Sequence, residues 1–172
     1  AYSFTDGLAL VSEGGREGFI DTDGNYVIKL TDKVDYASFS DGYALIRKGN
    51  KWGFIDKKGN IVIKPAFYGA ADFKEGFASI MEKVGDKYLS GYINKKGKMI
   101  TKAIYEEVDD FQEGMACVKK NGKYGFINKK GKLVVNAIYD NAFSYENGLA
   151  YVAKGSNAYF IDKTGKKVIT IK

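Results

Sequence analysis

Five short apolar segments recur along the chain, and each begins directly after a glycine. They are Leu8-Ala9-Leu10-Val11, Tyr43-Ala44-Leu45-Ile46, Phe77-Ala78-Ser79-Ile80, Met115-Ala116-Cys117-Val118 and Leu149-Ala150-Tyr151-Val152. Residues two apart share one face of a strand, so alanine and the following valine or isoleucine point the same way. A constant alanine predicts close approach of another layer on that face. The residue between them varies, which predicts a less constrained opposite face.

A second apolar segment follows each of these segments after a polar hairpin loop. Its aromatic residue and the isoleucine that follows point to opposite faces of the strand, as in Phe54-Ile55 and Phe126-Ile127. Both faces of this segment are therefore apolar, which is typical of a strand that is covered on both sides. We predict that it forms the middle strand of a three-stranded antiparallel unit.

The motif Asp/Asn-x-x-Gly comes next, and it predicts a tight turn into a third strand. The Asp or Asn side chain can accept a backbone hydrogen bond two residues on, and the glycine can adopt the left-handed conformation. The third strand ends in an irregular connection. In four connections one aromatic residue precedes the next opening glycine by three positions, and we predict that it fills the seam between units: Phe39, Phe73, Phe111 and Tyr145.

The repetition predicts one all-β domain over residues 1–172 that is built as a tandem array of five three-stranded antiparallel β-repeats. The repeats span about residues 4–38, 39–72, 73–110, 111–142 and 143–172. Each unit completes its core against its neighbours. The end copies are the less regular ones, as capping units would be. This favours an open, twisted, solenoid-like array, and a five-bladed β-propeller is the alternative.

Charge directs attention to the turns. The chain of 172 residues has 27 basic and 21 acidic residues, a net charge of +6, and its only arginines are Arg16 and Arg47. Few arginines argue against a nucleic-acid reader. The turn lysines should form a stripe that can bind an anionic partner, but shielding of the turn tips and strand edges is the favoured interpretation. The candidate binding lysines are Lys57, Lys58, Lys95, Lys96, Lys129 and Lys130.

Trp52 and Tyr124 occupy equivalent positions on the aromatic side of their second strands. They are candidates for a platform that binds a sugar or a peptide. Core packing is the competing interpretation, and we favour it because Phe54 and Phe126 recur on that side in every unit.

Little in the sequence points to catalysis. The chain has no histidine, and its one cysteine, Cys117, lies in the variable strand position, where we interpret it as a small apolar filler. Glu106-Glu107 and Asp109-Asp110 could be placed like the carboxylate pair of a glycosidase, but a solvated loop is the favoured interpretation. The lysine-rich turns do not suit calcium. We therefore predict no catalytic residue, no metal and no cofactor.

The segments Lys51-Trp52-Gly53-Phe54-Ile55-Asp56-Lys57-Lys58-Gly59-Asn60 and Lys123-Tyr124-Gly125-Phe126-Ile127-Asn128-Lys129-Lys130-Gly131-Lys132 resemble the bacterial WG-repeat, or KWG-repeat, family. Copies one, three and five carry Glu17, Ser90 and Ala158 in place of the tryptophan, and copy five has Tyr159 in place of the glycine. The resemblance implies a bacterial protein, often surface-exposed or secreted, that serves as an interaction module without catalysis.

These observations together predict a non-catalytic binding or scaffold module whose partner is a protein or an anionic polysaccharide. An inhibitor or immunity-type protein that caps one macromolecule, and a structural spacer on the bacterial surface, are the alternatives. No apolar run is long enough for a membrane helix, so no membrane insertion is expected. Secretion or the cell surface is favoured weakly over the cytoplasm, and the sequence assigns no oligomeric state.

Overall fold

The structure is a computed structural model that describes residues 3–14, 16–30 and 35–171, and the side chains of residues 13, 16, 35–38 and 171 fall outside that description. Residues 31–34 of the first predicted repeat therefore lie outside it, as do 1, 2, 15 and 172. Within the described ranges the chain contains strands and turns and no helix. Five separate antiparallel sheets follow one another along the chain, as the repetition predicts.

Each sheet keeps the order of its strands in the sequence. Sheet one contains β1 (Ala9–Glu13), β2 (Arg16–Ile20) and β3 (Tyr26–Leu30). Sheet two contains β4 (Asp35–Ser40), β5 (Tyr43–Lys48), β6 (Lys51–Asp56) and β7 (Ile61–Phe67). Sheet three contains β8 (Gly69–Ala70), β9 (Phe77–Val84), β10 (Lys87–Asn94) and β11 (Met99–Tyr105). Sheet four contains β12 (Glu107–Val108), β13 (Met115–Lys120), β14 (Lys123–Asn128) and β15 (Leu133–Tyr139). Sheet five contains β16 (Asn141–Ala142), β17 (Ala150–Lys154), β18 (Asn157–Ile161) and β19 (Lys167–Ile171).

The three-stranded unit predicted from the sequence holds only for the first sheet, because units two to five have a fourth strand. That strand comes from the connection and pairs with the following first strand, as β8 does with β9. The opening glycine is the second residue of a two-residue hairpin turn, as in Asp41-Gly42, where φ is 54° and 87°. Two positive φ values define a type I′ turn, which suits antiparallel strands. The sheets of units two to five therefore begin before the predicted repeat boundaries.

The second strand is the middle one, as predicted, and its glycine allows the third strand to approach closely. A Cβ atom on Gly53 would lie 2.4 Å from the carbonyl oxygen of Ile63. The register between β6 and β7 shifts across this glycine, between Trp52 and Phe54, and again between Phe54 and Ile55. In unit five Tyr159 replaces the glycine and pairs regularly with Thr170. A regular ladder occurs here with Tyr159 in unit five and also with Gly18 in unit one, so the glycine permits the β-bulge but does not impose it.

Hydrophobic cores lie between neighbouring sheets. The core between units two and three, for example, joins Leu45, Phe54 and Ile63 to Phe73, Ala78, Ile80 and Ile93. The four predicted seam aromatics are at most 4% exposed. Each packs edge-on against a ring of the preceding unit, with centroids 4.7 to 5.1 Å apart in Phe19–Phe39, Phe54–Phe73, Tyr92–Phe111 and Phe126–Tyr145. Large aromatic surfaces therefore hold the units together.

The array is open, because the fifth unit does not cover the first. In units two to five the turn glycine sits against the third strand of the preceding unit, whereas nothing lies within 4 Å of the Cβ position of Gly24 in unit one. The matching third-strand residues Ile28, Ile63, Thr101 and Val135 are at most 8% exposed, but Ile169 is 48% exposed. Between the described residues of units one and five, the structure contains no hydrogen bond or ion pair.

Candidate functional site

The lysine-bearing turns lie along one edge of the array and have a fixed shape. In the second unit Asp56 Oδ1 accepts hydrogen bonds from the backbone N–H groups of Lys58 and Asn60, both at 2.9 Å. Asn94, Asn128 and Asp162 close the later turns in the same way. The hydrogen bonds predicted from the Asp/Asn-x-x-Gly motif are therefore present, and they fix the backbone that carries the lysines.

The first lysine of each turn from unit two onward is held by an acid of the preceding unit. That acid is the residue before the opening glycine. Lys95 Nζ lies 2.7 Å from Asp41 Oδ1, while Asp41 Oδ2 accepts the backbone N–H of Gly76 at 2.6 Å. One carboxylate of unit two thus binds two elements of unit three. We call this arrangement the inter-unit clamp.

The inter-unit clamp recurs at all four interfaces. Lys129 Nζ lies 3.0 Å from Glu75, which also accepts the backbone N–H of Gly114 at 2.9 Å. Lys163 and Gly148 bind Glu113 at 3.2 and 2.9 Å. At the first interface Gly42 N–H bonds to the Asp6 carboxylate at 2.6 Å, and Lys57 donates to the Asp6 backbone carbonyl at 2.6 Å. Lys57, Lys95 and Lys129, predicted as binding residues, therefore serve an interface.

The clamp shifts the pKa of its carboxyl groups. Burial alone would raise the pKa values of Asp41 and Glu75, but their lysine and backbone hydrogen bonds outweigh it and hold both below the ordinary range. The hydrogen bond from Gly148, followed by that from Lys163, lowers the pKa of Glu113. All three acids are therefore ionised at neutral pH, as an ion pair requires.

The two ends of the array lack half of the clamp. Unit one has Thr22 where the later turns have lysine, and unit five has Asn147 where the earlier opening turns have an acid. The clamp acids Asp6, Asp41, Glu75 and Glu113 are not among the residues predicted from the sequence. The available signal was a pair of repeat positions that vary together. From unit one to unit five, the residue before the opening glycine is Asp, Asp, Glu, Glu and Asn, and the residue after the turn Asp or Asn is Thr, Lys, Lys, Lys and Lys.

The turns of units two, three and four have a second lysine, and its setting is different. Lys58, Lys96 and Lys130 are exposed, and no ion pair involves them in the part of the chain that the structure describes. Their backbone N–H groups are fixed by the turn, while their ammonium groups face solvent. The predicted lysine stripe is thus divided into one row that joins units and one row that is free to meet a partner.

Trp52 and Tyr124 are both partly buried. Trp52 packs against the core between units two and three, and the guanidinium carbon of Arg47 lies 5.6 Å from its ring centroid. The Tyr124 hydroxyl donates to Glu107 Oε2 at 2.6 Å, and Lys119 Nζ lies 2.6 Å from Glu107 Oε1. Both rings therefore contact other side chains of the protein and lie apart from the exposed row of lysines.

The carboxylates of the connection between units three and four do not form a facing pair. Glu106 accepts the N–H of Gly122 at 2.9 Å, whereas Glu107 binds Lys119 and Tyr124. Burial, the largest effect, together with the neighbouring Asp110 and Glu107 raises the pKa of Asp109, which accepts a hydrogen bond from the Ser144 hydroxyl at 3.3 Å. These groups are engaged in the local fold, and each faces different partners.

Cys117 is 2% exposed, in agreement with its interpretation as a core filler. Burial, with the charges of Asp109 and Glu107, raises the pKa of its thiol to about 12. A thiol with such a pKa carries almost no thiolate at neutral pH. Among the described residues no cluster of three or more acids or cysteines is arranged to hold a metal ion, and no helix could span a membrane.

The family described as WG containing repeat matches residues 18–52, 52–88, 91–124 and 124–157. The chain belongs to the WG-repeat family. The matched repeat begins in the second strand of one unit and ends in the second strand of the next. It therefore contains both an Asp/Asn-x-x-Gly turn and the following opening turn, the two parts from which inter-unit clamps are made.

The WG-repeat chain also resembles solved structures. Hsv2p of Kluyveromyces lactis superposes with a TM-score of 0.54 at 13% identity, over 91% of this chain and 58% of that one. The WG-repeat chain thus spans little more than half the length of Hsv2p, and the likeness shows the fold alone. A protein of unknown function from Bacteroides caccae has a TM-score of 0.38 at 16% identity, over 94% of this chain and 71% of that one. No curated protein matches.

Proposed function

We propose that this WG-repeat protein is a non-catalytic binding or scaffold module that holds an anionic partner, an acidic protein surface or an acidic glycan, along its turn edge. The observation that carries the proposal is the row formed by Lys58, Lys96 and Lys130. Each of these side chains is exposed on a turn whose backbone is fixed, and one lies in each of units two, three and four. A periodic row of like charges suits a long partner better than a small one.

The neighbouring row of lysines supports this proposal. Since Lys95 and Lys129 are paired with Asp41 and Glu75, their charge is largely neutralised by the protein itself. The unpaired positive charge of the edge therefore comes from the second lysines and from Lys98, Lys132 and Lys166, which are also exposed after the turn glycines. Lysine gives charge without a fixed hydrogen-bonding fork, which suits recognition of an anionic polymer more than of one defined group.

The absence of catalysis is part of the proposal. Cys117 is buried with a raised pKa, and the carboxylates of Glu106 and Glu107 are bound to Gly122, Lys119 and Tyr124. These observations support a binding role, because none of these groups is placed as an activated nucleophile or a general base.

The test compares two triple variants of equal charge. Lys58→Gln, Lys96→Gln and Lys130→Gln remove the exposed turn row. Lys48→Gln, Lys64→Gln and Lys102→Gln remove three other exposed lysines. Polyglutamate represents an acidic protein and polygalacturonate an acidic glycan, with binding measured by calorimetry at low and physiological salt. We expect the turn variant to weaken binding about tenfold or more, with a smaller salt dependence. Equal weakening by both variants, or no binding of either polymer, would refute the proposal.

A further inference from the structure

The third unit departs from the repeat at two positions that face the fourth unit. Ser79 occupies the position of Leu45 in unit two, and Ser90 occupies that of Trp52. Both serines lie on the same face of their sheet as Tyr92, which packs against unit four. Because this unit is in the middle of the array, the need to cap an end does not explain the loss of large side chains.

A groove occupies the space that these side chains leave. It has a volume of about 530 Å³ and lies between the sheet of unit three and the segment 106–109 of unit four. Ser79, Met81 and Ser90 line one side, together with the small residues of segment 69–71, and Glu106 and Val108 lie on the other. This volume lies within the range of sites that bind small ligands.

Ser90 provides a hydrogen-bonding group inside the groove. It is only 7% exposed, and its hydroxyl has no hydrogen-bond partner among the residues that the structure describes. Its oxygen is not fully enclosed by the protein, so a polar group of a ligand can reach it from the groove. A ligand hydroxyl could both donate to it and accept from it.

Two exposed aromatic residues lie within two positions of lining residues of the groove, although neither lines it. Tyr68 and Tyr88 form an edge-to-face pair with centroids 5.3 Å apart and are 38% and 52% exposed. Tyr68 precedes the lining residue Gly69, while Tyr88 lies on the same strand face as Ser90. The ammonium of Lys51 lies 3.0 Å from the Tyr68 ring centroid and holds that ring in place.

The longer hairpin of unit three explains the position of Tyr88. Strands β9 and β10 have eight residues each, whereas the corresponding strands of units one, two, four and five have five or six. The additional length carries Tyr88 beyond the body of the sheet. The small serines, the longer hairpin and the tyrosine pair thus occur in the same unit and beside the same groove.

We propose that this groove binds a neutral, hydroxyl-rich ligand of one or two sugar rings. Ser79, Ser90 and Glu106 would hydrogen-bond its hydroxyl groups, and Tyr88 would stack on its C–H face. No lysine or arginine is among the described lining residues, which disfavours an anion. The site is separate from the lysine row and goes beyond the proposed binding of an anionic partner.

The test is an NMR titration of the full chain with the neutral disaccharides chitobiose, cellobiose and maltose, and with spermidine as an amine. At least one disaccharide should shift the amide signals of Ser79 and Ser90. Ser90→Trp introduces the residue type of unit two and should abolish the response, while Tyr88→Ala should weaken binding about tenfold. Phe143→Ala removes an aromatic side chain that is 60% exposed in another unit and should leave binding unchanged.

The result that overturns the proposal is equally specific. The groove is not a saccharide site if no disaccharide shifts these amides at millimolar concentration, if only spermidine does, or if Tyr88→Ala binds as tightly as the unchanged protein. Tyr88 is exposed, so this variant keeps the test decisive even where Ser90→Trp does not fold. The triple turn-lysine variant should retain disaccharide binding, which distinguishes failure here from failure of the proposed anionic partner.

Discussion

The turn glycine illustrates how one residue serves both its own unit and the next. At Gly131 φ is 73°, and an added Cβ atom would lie 2.2 Å from the carbonyl oxygen of Ile100 in the preceding unit. At Gly24 φ is 83°, but nothing lies within 4 Å. The same turn conformation is therefore found with and without a neighbour, which makes the two positions a matched pair.

We predict that Gly131→Ala lowers the free energy of unfolding by about 2–4 kcal/mol, because left-handed backbone strain and a clash with the neighbouring unit add together. Gly24→Ala should lower it by about 1–2 kcal/mol, since only the strain applies. Urea denaturation of both variants measures the difference. Equal losses would show that the interface between units three and four is less tightly packed than the structure indicates.

At the scale of the element, the inter-unit clamp attaches the opening hairpin turn of one unit to the next unit. Glu75 receives two backbone N–H groups and one lysine from unit four, and its pKa lies below the ordinary value of 4.5. A carboxyl group whose pKa is lowered by folding stabilises the protein at pH values above the pKa of that group in the unfolded chain. That stabilisation is lost as the pH falls through the lower folded value.

We predict that Glu75→Gln lowers the free energy of unfolding by about 1 kcal/mol at neutral pH, a partly exposed pair being worth little more. The difference from the unchanged protein should shrink as the pH falls from the unfolded value of 4.5 through the lower folded value, where Glu75 itself becomes protonated. Glu146→Gln is the control, because this exposed acid makes no side-chain hydrogen bond in the described structure. A difference that stays constant down to acid pH would contradict the assignment.

The elements that the sequence predicts correctly are those whose residues repeat within one unit. The middle strand, the turn hydrogen bonds and the seam aromatic Phe73 all follow from local spacing. The fourth strand is absent from the sequence prediction, which assigns the opening glycine to the start of a strand. Asp41-Gly42 is nevertheless a strong hairpin signal and indicates a strand on both sides of the turn. The clamp and the groove depend on residues in different units, so no pattern within one unit contains them.

At the scale of the whole molecule, the stability of each unit depends on its position in the array. Units one and five each have one neighbour, whereas units two, three and four have two. In such arrays stability is roughly the sum of the terms for each unit and each interface. The end units should therefore open at lower free energy than the middle one.

Hydrogen exchange tests this expectation. We predict that amides of β2 and β18 exchange at least about tenfold faster than those of β10, because each end sheet can open after breaking one interface. All three are interior strands of their sheets, and amides in the body of β10 are compared because that strand is longer, with eight residues against five. Uniform protection across the five units would mean that the array opens only as a whole.

The clamp also has a direction, because the acid always belongs to one unit and the lysine to the next unit along the chain. This direction limits where a further unit could be added. An internal unit carries an acid for the unit after it and a lysine for the unit before it, as unit three does with Glu75 and Lys95. A duplicated internal unit could thus be inserted with both joints intact. A unit with Thr22 or Asn147 lacks one of these residues and fits best at an end. Duplication of an internal unit would therefore lengthen such an array without breaking a clamp.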